Sequence, residues 1–90
     1  MPDAYRTLDF TPTFLEDLVG KNFTQQERRR FVRALRPLDE DERHPSLRVH
    51  QLQGDLAGVW SVSASDELRM TFVRAAGRKL MTTGSRRYAR

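Results

Sequence analysis

Side chains able to bind an anion and to move a proton occur close together in the second half of the chain. Arg48 and Arg69 carry planar guanidinium groups, each of which can hold a phosphate through two hydrogen bonds. His50 carries an imidazole, which exchanges protons near neutral pH. If these residues lie in β-strands, alternation places them on one face of a sheet, together with the hydroxyl groups of Ser61, Ser63 and Thr71. This polar face is the candidate site.

The strands that would carry this face follow a change of periodicity after Ser46. Predicted strands are residues 5–10, 47–53, 59–64, 68–73 and 79–83, and breaks suited to hairpins separate the last four. Two helical segments lie between the first strand and the second. The order β-α-α-β-β-β-β therefore predicts an α+β fold, in which two N-terminal helices pack on one face of a twisted, mainly antiparallel sheet. We expect a single domain over residues 1–90.

Each predicted helix has a recognisable start. Thr11 is suited to the N-cap of the first helix, because Pro12 follows it at a position where a missing N–H costs nothing. Thr24 and Glu27 have the spacing of a capping box at the start of the second helix. Pro37 is expected to loosen or end that helix early. The arginines opposite its apolar stripe are interpreted as a solvated face: Arg28, Arg29, Arg30, Arg33 and Arg36.

The alternation of apolar residues also assigns the helix-covered side of the sheet. Five residues on two neighbouring strands should lie beneath the helices: Trp60, Val62, Leu68, Met70 and Phe72. Leu52 interrupts the alternation of its own strand. A bulge or an edge effect near Gln51 would therefore change the direction of His50.

Composition and charge narrow the classes of function. The chain has no cysteine and no apolar run long enough to span a bilayer, so we expect a cytoplasmic protein without disulfides or a thiolate-bound cofactor. His44 and His50 lack a third ligand, so no metal site is expected. Residues 1–42 carry a net charge of −2 and residues 43–90 a net charge of +6. This basic half favours an anionic partner, either nucleic acid or an acidic protein segment, although a merely soluble surface would have the same composition.

Three stretches resemble one known family: residues 44–54, 56–63 and 68–72, which read HPSLRVHQLQG, LAGVWSVS and LRMTF. They are similar to the RelE/ParE toxin superfamily, the toxins of bacterial type II toxin–antitoxin modules, and residues 8–14 resemble that family's first strand and opening helix. The resemblance implies the same fold and an endoribonuclease that cuts mRNA on the ribosome by attack of the 2′-OH, without a metal or other cofactor. Alternatives are a non-catalytic toxin that acts by binding, as gyrase-inhibiting relatives do, and an orphan with a degraded site.

The resemblance also implies roles for individual residues. Arg69 takes the place of an arginine that binds the scissile phosphate, His50 that of a catalytic imidazole, and Glu67 that of an acidic residue implicated in the same branch. Each residue has a structural alternative. Arg69 could form a salt bridge with Glu67, His50 could be merely exposed or packed, and Glu67 could be a solvated acid of a hairpin.

The chain departs from the family near its C-terminus, where many relatives have a Gly-x-His sequence. Arg86 stands in the place of that histidine, two residues after Gly84. A guanidinium can stabilise charge but does not donate a proton at neutral pH. Tyr88 could stack on a base or donate a proton, or it could anchor the tail. The residues therefore leave the general acid unassigned.

The resemblance further implies an RNA-binding and ribosome-binding footprint and a protein partner. The cations expected to form the footprint are Arg48, Arg74, Arg78, Lys79 and Arg87. A cognate antitoxin would silence the toxin by covering the basic sheet face or groove with an acidic, partly disordered segment.

Overall fold

Five strands form one mixed sheet in the computed structural model of the chain, which describes residues 5–20 and 22–86. The strands are β1 (Leu8–Phe10), β2 (His50–Gln51), β3 (Val59–Ser63), β4 (Leu68–Ala75) and β5 (Arg78–Arg86), and the helices are α1 (Pro12–Val19) and α2 (Gln25–Glu40). Across the sheet the order is β1-β5-β4-β3-β2, in which β1 lies parallel to β5 and every other neighbouring pair is antiparallel. The predicted α+β fold is confirmed.

Both helices begin where the capping residues predict. The side chain of Thr11 accepts a hydrogen bond from the N–H of Phe14 at 3.1 Å. At the start of α2, Thr24 Oγ1 accepts from the N–H of Glu27 at 3.0 Å, and the Glu27 carboxylate accepts from the N–H of Thr24 at 2.8 Å. This reciprocal pair satisfies two N–H groups that a helix start leaves without partners. Neither α1 nor α2 is long and apolar enough to cross a membrane.

Pro37 does not end α2 early, so that prediction is wrong. The helix continues to Glu40. The buried carboxylate of Asp39 accepts hydrogen bonds from the backbone N–H groups of Arg6 at 3.0 Å and Thr7 at 2.6 Å. Burial alone would raise the pKa of this carboxyl, but the hydrogen bonds keep its pKa below the usual value. These contacts after the proline hold the last turn in place, although one backbone donor is missing.

The helices cover one face of the sheet and enclose the core. Leu68, Met70 and Phe72 of β4 are buried beneath them, as alternation predicts. The helices approach the sheet closely at Gly84 of β5, where a Cβ atom would lie 3.4 Å from Cδ1 of Leu18. The other side of the sheet, which is called the open face below, carries the side chains that alternate with this core set.

The second strand is far shorter than the predicted residues 47–53. Pro45–Leu47 forms a 3₁₀ turn, and Arg48 at its end has a φ of 49°, in the left-handed region. Only His50 and Gln51 pair with β3. The turn shortens the strand because its residues take helical rather than extended dihedral angles.

The irregular register lies elsewhere than expected. It occurs between Thr71 and Phe72, where β5 contributes the extra residue Thr82, and not near Gln51. Beyond it, β5 continues to Arg86, three residues past its predicted end. The alternation of side chains therefore continues through a part of β5 that sequence analysis assigned to the tail.

Candidate active site

Two rows of polar side chains cross the open face. The first row runs over four strands, since His50 pairs with Ser61, Ser61 with Thr71, and Thr71 with Thr83. The second row lies two residues further along the strands, where Arg69 pairs with Ser63 on one side and Ser85 on the other. Residues that face one another directly across a sheet project from the same side. The structure therefore brings the predicted imidazole, guanidinium and hydroxyl groups onto one surface.

The imidazole of His50 is exposed and held in one tautomer. Its Nδ1 lies 2.9 Å from the backbone carbonyl oxygen of Arg48. A carbonyl oxygen can only accept a hydrogen bond, so the neutral ring carries its proton on Nδ1. This arrangement leaves Nε2 with a lone pair that can accept a proton from a substrate.

Arg69 has no partner among the residues that the structure describes. Its Nε is buried without a hydrogen-bond acceptor, and the salt bridge to Glu67 that would have made it structural is not formed. A buried donor that gives up water without gaining a partner is costly to the fold. The guanidinium therefore lies ready to donate to an anion that binds on the open face.

The hydroxyl groups between these residues form a connected cluster. Thr71 Oγ1 lies 2.7 Å from the hydroxyl of Thr82 and is also hydrogen-bonded to that of Thr83. The register shift between β4 and β5 brings both of these threonines to Thr71. Sequence analysis missed Thr83 and Ser85, although the alternation of β5 places both on this side. The cluster can donate to, or accept from, the sugar and phosphate oxygens of a ligand.

The spacing of His50 and Arg69 suits a ligand that lies between them. The two residues are two strands apart across the sheet and offset by two residues along it. With ordinary strand spacing and rise, their Cα atoms are about 12 Å apart. Both side chains are long enough to approach a phosphodiester placed over Thr71 from opposite sides.

No family model matches this chain, and no curated protein sequence matches it. Solved structures do. YafQ from Escherichia coli superposes with a TM-score of 0.69 at 12% identity, over 90% of this chain and 92% of YafQ. A chain of the RelBE2 toxin–antitoxin complex from Mycobacterium tuberculosis gives 0.66 at 18%, over 93% and 100%. A YoeB/ParE toxin from Agrobacterium tumefaciens gives 0.64 at 24%, over 92% and 100%. The chain has the RelE/ParE toxin fold.

In this RelE/ParE fold, two of the cations predicted to bind RNA lie on the helix-covered side. Arg74 donates to the carboxylate of Glu42 at 3.0 Å, and its guanidinium lies 4.4 Å from the ring centroid of Trp60. Hydrogen bonding to Arg74 keeps the pKa of Glu42 below its usual value. Lys79 is only 7% exposed, and its Nζ donates to Thr7 at 2.8 Å. The prediction that Arg74 and Lys79 belong to the RNA-binding surface is contradicted, because the alternation of β4 and β5 turns them away from it.

Arg78 is also occupied within the RelE/ParE fold. Its guanidinium donates to the carboxylate of Asp9 at 2.9 Å and to the backbone carbonyl groups of Arg6 at 2.6 Å and Leu8 at 3.0 Å. These contacts tie β1 to β5 and use the donors that a phosphate would need. The predicted RNA-binding role of Arg78 is therefore replaced by a structural one.

Arg86 lies on the opposite side of the sheet from Arg69. It pairs with Leu68, a core residue, and its guanidinium donates to Glu27 at 3.0 Å and lies 5.1 Å from the ring centroid of Phe23. The hydrogen bond from Arg86 is the main reason that the pKa of Glu27 is lowered to about 2. The expectation that Arg86 takes part in the catalytic group is contradicted, since this side chain locks α2 to β5 instead.

The remaining predicted residues are at the margins of the site. Arg48 is exposed, and no ion pair engages its guanidinium. Glu67 is exposed in the β3–β4 hairpin, and its charge contributes to raising the pKa of Arg86, after the larger effect of Glu27. Arg87 and Tyr88 lie outside the described residues. Within residues 5–20 and 22–86, no three His, Cys, Asp or Glu side chains are grouped so as to bind a metal ion.

Proposed function

We propose that this chain is the toxin of a type II toxin–antitoxin module and that it cleaves RNA on its open face. One observation supports this function most strongly. The unpartnered guanidinium of Arg69 shares that face with the imidazole of His50, whose Nε2 has a free lone pair. Phosphate binding and proton removal are the two functions that RNA cleavage without a metal needs at its start.

The proposed reaction uses the substrate's own 2′-OH as the nucleophile. Nε2 of His50 takes the 2′-OH proton, and the 2′-oxygen attacks the adjacent phosphorus. Arg69 donates to the non-bridging oxygens, on which negative charge grows. The bond from phosphorus to the 5′-oxygen then breaks, and that oxygen takes up a proton. The products are a 2′,3′-cyclic phosphate and a 5′-OH.

The proton for the leaving oxygen needs a donor other than Arg86. A guanidinium keeps its proton at neutral pH, and Arg86 is bound to Glu27 on the helix-covered side. We assign this step to Tyr88, on the family resemblance, with Glu67 in a supporting electrostatic role. A Tyr88→Phe variant should therefore slow cleavage and leave the 2′,3′-cyclic product unchanged.

The proposed substrate is mRNA on the ribosome, and the proposed partner is a cognate antitoxin. The basic half of the chain supports a polyanionic substrate, since its net charge is +6 over residues 43–90. One structural neighbour is part of a toxin–antitoxin complex. An acidic segment of the antitoxin would compete with RNA for Arg69 and the open face.

A specific observation favours a second candidate, a toxin that acts by binding alone. Arg86 replaces the tail histidine of many relatives and forms a structural ion pair instead. In this case the chain would arrest growth without cutting RNA, and a chain with a degraded site would not arrest growth at all.

Expression in bacteria separates these functions. Wild-type protein should arrest growth and create new mRNA 5′ ends that bear a 5′-OH, and Arg69→Ala should do neither while it accumulates as folded protein. Growth arrest without new RNA ends, accompanied by a DNA-damage response, would support the binding toxin. No arrest by the wild-type protein would overturn the toxin role.

A further inference from the structure

A basic groove of about 500 Å³ opens beside the open face, between α2, the 3₁₀ turn and the β3–β4 hairpin. Three arginines line it: Arg30 and Arg33 from α2, and Arg48 from the end of the turn. The only acidic residue among the described lining residues is Asp66. The groove therefore has a net positive charge, although sequence analysis interpreted the arginines of α2 as a solvated face.

These three guanidinium groups differ from the other arginines discussed above. Arg74, Arg78 and Arg86 each have a carboxylate partner. Among the described residues, none of the ion pairs or side-chain hydrogen bonds involves the guanidinium of Arg30, Arg33 or Arg48. Like charges repel on one side of a helix, where residues three apart are neighbours. An anion bound in the groove would remove this repulsion for Arg30 and Arg33.

The groove is continuous with the candidate active site through two residues. Ser63 lines the groove and lies directly opposite Arg69 in the sheet. Arg48 lines the groove, and its backbone carbonyl holds the ring of His50. Its left-handed backbone, with a φ of 49°, is an uncommon conformation for a residue with a side chain. A chain of phosphates crossing Arg69 would thus continue into the groove.

We propose that this groove binds the phosphates of the RNA strand next to the scissile one. Arg30, Arg33 and Arg48 would hold the backbone, and the hydroxyl groups of Ser46 and Ser65 at the groove wall would add hydrogen bonds. Such contacts bind any sequence, so the groove would supply affinity and strand direction but no base preference. The proposal rests on the proposed RNA-cleaving function and adds a second part to its binding site.

The test compares a groove variant with a charge-matched control. Arg30→Gln/Arg33→Gln removes two groove cations, and Arg29→Gln/Arg43→Gln removes two exposed cations that do not line this groove. The probes are a dinucleotide and an octanucleotide of 2′-O-methyl RNA, which cannot be cleaved because the 2′-OH is blocked. Affinities are measured over a range of salt concentrations.

The groove variant should bind the octanucleotide about tenfold more weakly than the control variant, and both should bind the dinucleotide alike. Its dependence of log affinity on log salt should be shallower by about 1.4, since each lost phosphate contact on a single strand accounts for about 0.7. Equal octanucleotide binding by the two variants would overturn the groove proposal. So would a wild-type protein that binds the octanucleotide no better than the dinucleotide.

Two further measurements keep this proposal separate from its foundation. Cleavage of unmodified RNA that depends on Arg69 but not on Arg30 and Arg33 would reject the groove and retain the proposed function. Octanucleotide binding that depends on the groove, without any cleavage by the wild-type protein, would retain the groove and reject the nuclease. Loss of binding to an acidic peptide, with RNA binding unchanged, would assign the groove to a protein partner and overturn the proposal.

Discussion

Nδ1 of His50 donates a hydrogen bond to the backbone carbonyl oxygen of Arg48, 2.9 Å away. The two residues are separated by a single position, and the left-handed conformation of Arg48 turns its carbonyl toward the ring. The hydrogen bond fixes the tautomer of the imidazole without the help of an acidic side chain. A strained backbone residue therefore prepares the proposed general base.

Replacing the imidazole should remove proton transfer and spare the fold. His50→Gln keeps a polar side chain on the exposed ring position but cannot accept the 2′-OH proton, so cleavage should fall by about 10²–10⁴-fold. His44→Gln is the matched control, since His44 is also exposed but bonds to Ser46 outside the sheet. The rates of RNA cleavage and the circular dichroism spectra are the measurements. Equal loss in both variants would contradict the role of His50.

Arg48→Gly should stabilise the protein and weaken its binding of RNA. Glycine adopts a positive φ without steric cost, and after its larger unfolded-state entropy is subtracted the gain should be about 0.5–1 kcal/mol. Ala76→Gly is the control, because Ala76 has a φ of 54° in the β4–β5 turn, far from the groove. Both variants should unfold at higher urea concentration, and only Arg48→Gly should bind RNA less tightly. Unchanged RNA affinity of Arg48→Gly would remove Arg48 from the binding surface.

The ion pair between Glu27 and Arg86 should make stability depend on pH in the acidic range. The folded-state pKa of Glu27 is lowered from 4.5 to about 2. A lowered folded pKa contributes stability above the unfolded value, and this contribution disappears as pH falls from 4.5 to about 2. Glu27→Gln should therefore lose less free energy of unfolding than wild type between pH 5 and about 2.5 in urea titrations. Glu16→Gln, on exposed α1, should retain the wild-type profile; a Glu27→Gln profile that matches wild type would show that the pair does not persist in solution.

Arg86 should matter for stability and not for the chemical step. Arg86→Gln loses the hydrogen bonds to Glu27 and the contact with Phe23, so its unfolding midpoint in urea should fall. At a temperature where the variant is folded, its rate of RNA cleavage should equal that of wild type, because this side chain points away from Arg69. A folded Arg86→Gln protein with a hundredfold slower cleavage would return Arg86 to the catalytic group.

The element order and the open face could be predicted because they depend on periodicity. The alternation of Leu68, Met70 and Phe72 identifies the covered side of β4, and Arg69 must then point to the other side. The capping box at Thr24 likewise depends on two side chains only three residues apart. Local patterns of this kind are readable in the sequence because they need no knowledge of distant contacts.

The errors arose where distant contacts decide the outcome. Pro37 is tolerated because Asp39 binds backbone groups more than thirty residues away. Lys79 and Arg86 look like free surface cations in the sequence, but their partners, Thr7 and Glu27, come from the first third of the chain. Charge alone does not show which cations are already paired, and the groove arginines of α2 were missed for the same reason.

The central claim is that the guanidinium of Arg69 binds the scissile phosphate on the open face. Single-turnover cleavage of a defined mRNA, with and without purified ribosomes, tests it most directly when wild type is compared with Arg69→Lys and Arg69→Ala. Arg69→Ala should cleave about 10²–10³-fold more slowly than wild type, with Arg69→Lys between them, and all three should have the same thermal unfolding midpoint because Arg69 forms no ion pair. A folded Arg69→Ala protein that cleaves RNA at the wild-type rate, or one that no longer folds while Arg69→Lys does, would contradict the claim.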